Sequence, residues 1–266
     1  MLELMIYDFK VIKAFIRKGI MTFIEYRANF LLDICTNLAW PVLQLFFISI
    51  IFYNTPAVNG WSKYEMIMLY GISQVIFPLF RAFALSSLHR MEEYILKGTM
   101  DYILLKPVNE KFYMTLHNVY IFQAFPLIYG VGVMVYAMSR LHIALSVGQI
   151  VLFILLIGIG VRILYLMYMI CITCTFKFVK SNFLTDIILS FNSCMQYPVD
   201  IYNGIFKYVI TLIIPVGIIV DFPARVLVKA FTWDKLLYAA ILAVVLTFAR
   251  DLVWKWGVSE YTSASS

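Results

Sequence analysis

The sequence predicts an all-α, polytopic membrane protein, and three observations carry that prediction. Only 14% of the 266 residues are charged while 63% are hydrophobic, whereas a water-soluble domain is about a quarter charged. The apolar residues gather in runs close to the roughly 20 residues that a bilayer-crossing helix needs. Lys and Arg are distributed unevenly between alternate connections. Lipid is the solvent that lets so many apolar side chains face outward. The chain reads as a single transmembrane domain, 1–266, because no polar stretch is long enough for an independent soluble one.

Residues 1–28 predict an interfacial amphipathic helix. Met5, Phe9, Ile12, Ile16, Ile20 and Phe23 recur at spacings of three and four, with Lys10, Lys13, Arg17 and Lys18 between them. A helix packed on a partner protein would show the same pattern. The first span is read at 29–53, kinked at Pro41. A short loop with Pro56, Asn59, Gly60 and Trp61 leads to a second span at 64–85. The most polar stretch of the chain follows, 86–118. The third span is read at 119–138 and the fourth at 147–176. The fifth segment starts near Asn182 and meets Tyr197-Pro198 after a length too short for a full crossing. Residues 197–231, broken by Pro215 and Gly217, are expected as a re-entrant or outer helical hairpin, since broken helices at membrane depth need protein or a cavity to cover them. The last span is read at 236–253, making six transmembrane helices.

The net charge of +6 is read as the positive-inside bias rather than as nucleic-acid binding, because no basic patch is interleaved with exposed aromatics. With the N-terminus inside, the inner segments hold 14 cations and the outer ones six: Lys63, Arg140, Lys207, Arg225, Lys229 and Lys235. Both termini are therefore expected in the cytoplasm. A full crossing by 205–220 would instead give seven spans and an outer C-terminus.

Several chemistries find no support. There is no G-x-x-x-x-G-K-[ST] loop to cradle ATP phosphates, and no H-E-x-x-H or G-x-S-x-G. Cys171 and Cys174 form a C-x-x-C, but it lies in an apolar run remote from His89, His117 and His142. Packing at a helix interface explains it better than metal or redox chemistry. The first apolar run is too long for a signal peptide and lacks a cleavage site. No catalytic residue, metal site or bound cofactor is expected, so any energised work draws on a partner or an ion gradient.

The segment 88–108 is the candidate functional element. Met91, Tyr94 and Ile95 fall on one face of a short helix, and Arg90, Glu92 and Glu93 on another, with Leu96 closing it and Gly98 and Pro107 as breaks. Such a helix suits a groove on a cytoplasmic partner, although an ordinary solvated helix would look alike. The run Gly98-Thr99-Met100-Asp101-Tyr102-Ile103-Leu104-Leu105-Lys106-Pro107 resembles the pattern after the second span in permeases of the type-two ABC exporter family. Glu25-Tyr26-Arg27-Ala28-Asn29-Phe30, Gly60-Trp61, Tyr197-Pro198-Val199-Asp200-Ile201-Tyr202, Ile214-Pro215 and the tail Tyr261-Thr262-Ser263-Ala264-Ser265-Ser266 are similar to one branch of it. Asn203 departs from the Pro usual there. The resemblance covers nearly the whole chain. It implies a bacterial inner-membrane location and a coupling helix at 90–96, with Gly98 and Thr99, seated in a cleft of a separate ABC ATPase. ATP and Mg would be bound on that ATPase. It also implies a second permease subunit, identical or different.

Polar residues inside the spans are the remaining candidates. Arg162 lies near the middle of the fourth span, where a cation must face protein or water. Asp33 and Asp186 are candidate partners, and Asn192 matches its depth better. Arg162, Tyr165 and Asn192 are therefore a candidate translocation path, against the alternative of a structural hydrogen bond. Phe77, Phe80, Phe83, Phe122, Phe125 and Tyr168 read as packing or belt residues more than as path lining, and Trp61, Trp233, Trp254 and Trp256 as headgroup-level belts. The expected function is the permease subunit of an exporter of an amphipathic substrate such as a drug, peptide or lipid. An ATPase-independent channel or lipid scramblase is the alternative.

Overall fold

A computed structural model describes residues 27–120, 125–178, 182–229 and 231–261, together with Ala14, Phe15, Arg17, Met21 and Gln123. The whole hydrophobic pattern expected of the N-terminal helix (Met5, Phe9, Ile12, Ile16, Ile20 and Phe23) falls outside the described residues, as do the side chain of Asp33, Phe122, Lys180 and the tail beyond Tyr261.

Helix α1 (Arg27–Ile51) carries Pro41 within it and continues for ten residues beyond. The connection to the next helix is not a plain loop. Ala57–Val58 (β1) and Trp61–Ser62 (β2) pair antiparallel, Val58 opposite Trp61. Asn59 and Gly60 both take positive φ, 46° and 77°, the two-residue turn whose twist matches a hairpin. Helix α2 (Lys63–Phe80) starts where the Ser62 backbone N–H donates to Glu65 Oε2 at 2.7 Å. It runs through a widened turn at Arg81–Leu85, and the helical path extends to Leu96, past the expected end at Leu85. Three short helices follow: α3 (Met91–Leu96), α4 (Asp101–Leu104) and α5 (Glu110–Leu116), the last capped by Asn109 Oδ1 accepting from Phe112 N at 3.1 Å.

Helix α6 (Phe125–Leu141) begins later than the third span predicted, and its 17 residues cover roughly 25 Å. Val119 and Tyr120 lie outside any helix, Tyr120 donating to Ala82 O at 3.0 Å. Helix α7 (Val147–Thr173) is capped reciprocally by Ser146 and Gln149. Helix α8 (Asn182–Ser190) tightens into a narrow turn at Phe191–Gln196 and stops at Tyr197-Pro198, as the sequence predicts. Helix α9 (Gly204–Tyr208) extends to Ile213. A break at Ile214-Pro215-Val216 bends the path by 71° before Gly217–Asp221 and α10 (Phe222–Val228). Helix α11 (Trp233–Glu260) ends the described chain.

Among the described residues, three helical paths are long and apolar enough to cross a membrane: Lys63–Leu96, Val147–Phe176 and Trp233–Glu260. The bent pair on either side of Pro215 is a fourth candidate. Glycines set the tightest crossings, since small residues let helix backbones approach in lipid. Gly130 of α6 meets Gly71 and Gln74 of α2, and Gly160 of α7 meets the Ile219 carbonyl. Tyr70, Phe80, Ile163 and Tyr168 fill the interior between them, all essentially solvent-free.

Candidate functional site

The functional candidates collect at the two ends of the bundle and in a lane between them. At one end, α3, α4 and α5 form a block fastened to the ends of α7 and α11. Trp254 Nε1 donates to Glu110 Oε1 at 3.1 Å, and Lys111 Nζ pairs with Asp251 at 2.6 Å. Lys177 reaches Glu260 at 3.1 Å. Phe176 stacks edge-on against both Trp254 and Tyr261, with ring centroids 5.7 Å apart in each case. Burial, with the Asp101 carboxylate nearby, pushes the Tyr261 phenol up. Phe15 touches the same block, its ring 5.7 Å from Tyr113.

Within the block, the predicted docking face turns inward. Met91 is fully buried, and Tyr94 and Ile95 pack on the core. Tyr94 also anchors the turn that follows. Its hydroxyl pairs with His117 Nε2 at 2.9 Å, and its carbonyl accepts from the Thr99 and Met100 amides at 2.9 and 3.1 Å. Gly98 sits at φ +65°, a left-handed conformation that a Cβ disfavours. The reason for the inversion is local: Leu88, just before α3, and Met91, in its first turn, are both fully buried, and the rest of the helix follows. The residues left outward are Arg90, Glu93, Leu96 and Lys97, with Glu93 and Lys97 paired at 2.5 Å. Beyond them Leu96 (54% exposed), Tyr102 (73%) and Leu105 (82%) present apolar surface. Glu92 and Thr99 are half-buried. Tyr102 and Leu105 lie within the run that carries the resemblance, so their outward position had a signal in the sequence.

The opposite end is closed by a clasp that sequence reasoning missed. Asp200 accepts from Trp61 Nε1 at 3.1 Å and from the Arg225 guanidinium, and Lys207 stands 3.7 Å away. Arg225 Nε also donates to Asp221 at 2.5 Å. Asn59 Nδ2 donates to the Asp200 carbonyl at 2.8 Å, and Lys229 Nζ to the Gly60 carbonyl at 2.6 Å. Both Arg225 and Lys229 lie over the Trp61 ring. Burial works against ionisation of Asp200, but the Trp61 N–H and the Arg225 guanidinium overcome it and hold its carboxyl below the usual aspartate value. Trp61 is thus fully buried, a fastener rather than a headgroup-level belt, and the same holds for Trp254 at the other end. Trp233 is exposed, and Trp256 is exposed beside Lys177.

The predicted path residues are not brought together. Arg162 is exposed on α7 and donates to Thr247 Oγ1 of α11 at 3.1 Å, not to Asn192. Tyr165 accepts from Thr115 Oγ1 of α5 at 3.1 Å. Asn192 instead lines a cavity between α1, α2 and α8. Phe80 and Tyr168 are buried and stack edge-on, ring centroids 5.7 Å apart, which fits the packing reading; Phe83 is exposed and Phe77 lines the cavity. Cys174 Sγ lies 3.6 Å from the Ile170 carbonyl within its own helix.

Long apolar helices, glycine crossings and polar blocks confined to the ends define an all-α, multi-pass membrane protein. Comparison with known families makes the assignment narrower. A family model described as ABC-2 family transporter protein matches residues 38–265, and the chain belongs to that family, the transmembrane component of ABC transporters that associates with ABC ATPase partners. No curated protein and no solved structure matches the chain.

Proposed function

We propose that this chain is the permease subunit of an ATP-driven exporter that moves an amphipathic substrate out of the cytoplasm. The observation that carries the reading is the outward apolar surface of Leu96, Tyr102 and Leu105, flanked by Arg90, Lys97 and Lys106, on a block fastened to two long helices. A surface of that kind suits a cleft on a motor protein. The fastening gives the motor a mechanical path: a pull on α3–α5 is carried through Glu110–Trp254 and Lys111–Asp251 to α11, and through Thr115–Tyr165 to α7.

In this reading the α3–α5 block and both termini are cytoplasmic, which agrees with the excess of cations there. The six crossings are α1, α2, α6, α7, the short broken fifth segment from α8, and α11, with 197–231 as the outer hairpin. ATP and Mg are held by the separate ATPase, and a second permease subunit, identical or different, completes the membrane half.

The experiment is co-purification of the tagged chain from its native membrane, followed by ATP hydrolysis. An ATPase is expected to accompany the wild-type chain. The double substitution Leu96→Asp and Leu105→Asp is expected to lower substrate-stimulated hydrolysis at least tenfold while leaving the folded permease intact. Retention of full stimulation in that variant would overturn the docking surface. Lipid or ion flux through the purified chain alone, without an ATPase, would favour the channel or scramblase alternative.

A further inference from the structure

A cation stands in the middle of the most apolar membrane-crossing path. Arg162 lies fifteen residues from the start of Val147–Phe176 and fourteen from its end, with roughly 21–22 Å of helix on either side. The hydrocarbon layer is about 30 Å thick, so a path of this length centred on it places Arg162 near the midplane. Cations at the two ends of the bundle sit on carboxylates: Lys111 on Asp251, Lys177 on Glu260, and Arg225 on Asp200 and Asp221. Arg162 has no carboxylate among the described residues. It is exposed on α7, and its guanidinium donates to Thr247 Oγ1 of α11 at 3.1 Å. That hydroxyl gives its own proton to the Ala243 carbonyl at 2.7 Å. The contact is therefore neutral, and the other guanidinium N–H groups have no acceptor among the described residues.

The neighbourhood adds cation rather than anion. Arg250 lies one turn past Thr247 on the same face of α11. It shares Asp251 with Lys111, at 2.9 and 2.6 Å, and its Nε is buried with no acceptor. Asp251 is thus held by two cations before Arg162 is counted. The surface around Arg162 has room for a helix. Ile154, Leu155 and Gly158 share its exposed face on α7, and Val244 and Phe248 are exposed beside Thr247 on α11. Gly158 is one turn from Arg162, and a Cβ there would meet nothing within 4 Å. It leaves a notch in a bulky apolar face, and small residues admit close helix approach in lipid. Acyl chains cover Ile154 or Phe248 but offer a guanidinium no acceptor, so a cation at this depth must face protein or water.

We propose that the α7–α11 face around Arg162 and Gly158 receives a transmembrane helix of a different membrane protein, one that carries an Asp or Glu at mid-bilayer depth. The carboxylate pairs with the Arg162 guanidinium, and the helix backbone seats at Gly158. A second copy of this chain does not supply that group. Asp33, Glu65, Asp186 and Asp234 lie within two turns of the starts of their helices. Asp221 and Asp251 are already held by Arg225 and by Lys111 with Arg250. The inference goes beyond the exporter reading and does not rest on it; it needs only that α7 and α11 cross a bilayer.

The test is photo-crosslinking of the full chain in its native membrane, with benzoylphenylalanine introduced in place of Ile154, followed by sequencing of the joined peptide. The expected product comes from another protein, out of an apolar stretch of about 20 residues with a carboxylate in its central third. Arg162→Gln and Gly158→Leu are each expected to cut the yield per folded chain at least fivefold, and Arg162→Lys to keep part of it. Arg162→Glu combined with an Arg in place of the identified carboxylate is expected to restore it. Products confined to lipid, to a second copy of this chain or to a segment without a carboxylate would overturn the proposal. An unchanged yield in Arg162→Gln, or no product at all, would do the same. If Arg162→Gln fails to fold, Gly158→Leu and the charge exchange decide, since position 158 has open space for the larger side chain. Failure of any ATPase to co-purify is a different result, one that removes the exporter reading and leaves this face as it is.

Discussion

Substituting Gly130 by Ala should separate the two helices that build one wall of the cavity beside Asn192, and the cost follows from the crossing. A Cβ on Gly130 would stand 2.9 Å from the backbone carbon of Gln74 and 2.9 Å from the Gly71 carbonyl oxygen, where ordinary contact begins near 3.4 Å. Backbone cannot rotate aside as a side chain does, so α6 must move away from α2 by about half an ångström. Overpacking of this kind costs about 1–3 kcal/mol. Gly132, two residues on, would meet nothing within 4 Å. Gly132→Ala gains the same intrinsic helix propensity, about 1 kcal/mol, without the collision, and the difference between the two variants isolates the crossing. Thermal unfolding of the purified chain in detergent is the assay. With roughly 2–4 °C per kcal/mol for a chain of this size, Gly130→Ala should melt about 2–12 °C below Gly132→Ala. Equal midpoints would refute the close approach of α2 and α6. Gly71→Ala should fall between them, because its nearest neighbour is the flexible Met134 side chain at 2.8 Å.

Gly98→Ala should cost about 1–2 kcal/mol, because a non-glycine residue at φ +65° is strained; stimulated ATP hydrolysis of the complex should drop with it as Tyr102 and Leu105 are re-aimed. Asp200→Asn should loosen the clasp around Trp61, read as slower fluorescence quenching of Trp61 in the wild type than in the variant. Acid should mimic that substitution. The Asp200 carboxyl is held below its ordinary 3.8 in the folded protein, so its contribution is complete above that value and is lost as pH falls through the lowered one. The clasp is therefore expected to hold at neutral pH and open only in strong acid, and opening near pH 6 would contradict its assignment to Asp200. The docking-surface variant described above should separate motor coupling from folding, with full stimulation as the refuting outcome.

Residue pattern fixed which side chains share a face of the candidate coupling helix, but not the direction of that face. Pattern places Met91, Tyr94 and Ile95 on a single face of α3, and they share it. Pattern does not say which way that face points. A helix six residues long has no hydrophobic requirement of its own; Leu88 and Met91 are buried in the core and the rest of the helix follows. The same limit explains Arg162. Its depth in α7 was readable from spacing, but its partner depended on α11 packing beside α7 rather than on the nearest polar residue in the fifth segment. The hairpin at Asn59-Gly60 is different, since the Asn-Gly pair is itself a turn signal and its consequence was available without coordinates. The clasp was not: Asp200, Arg225 and Trp61 come from three segments, and no periodicity links them.

By itself the sequence determined that lipid is the solvent, that the chain is a bundle of apolar helices, that the fifth segment breaks at Tyr197-Pro198, and that the stretch between α2 and α6 is polar. These follow from composition and local spacing, which act along the chain. Only the tertiary structure decided which face of α3 is outward, that Trp61 and Trp254 are fasteners, and that Asn192 lines a cavity with α1 and α2. Each of these depends on side chains meeting between segments far apart in the chain, and in lipid such meetings are set by shape and hydrogen bonding rather than by an apolar pattern.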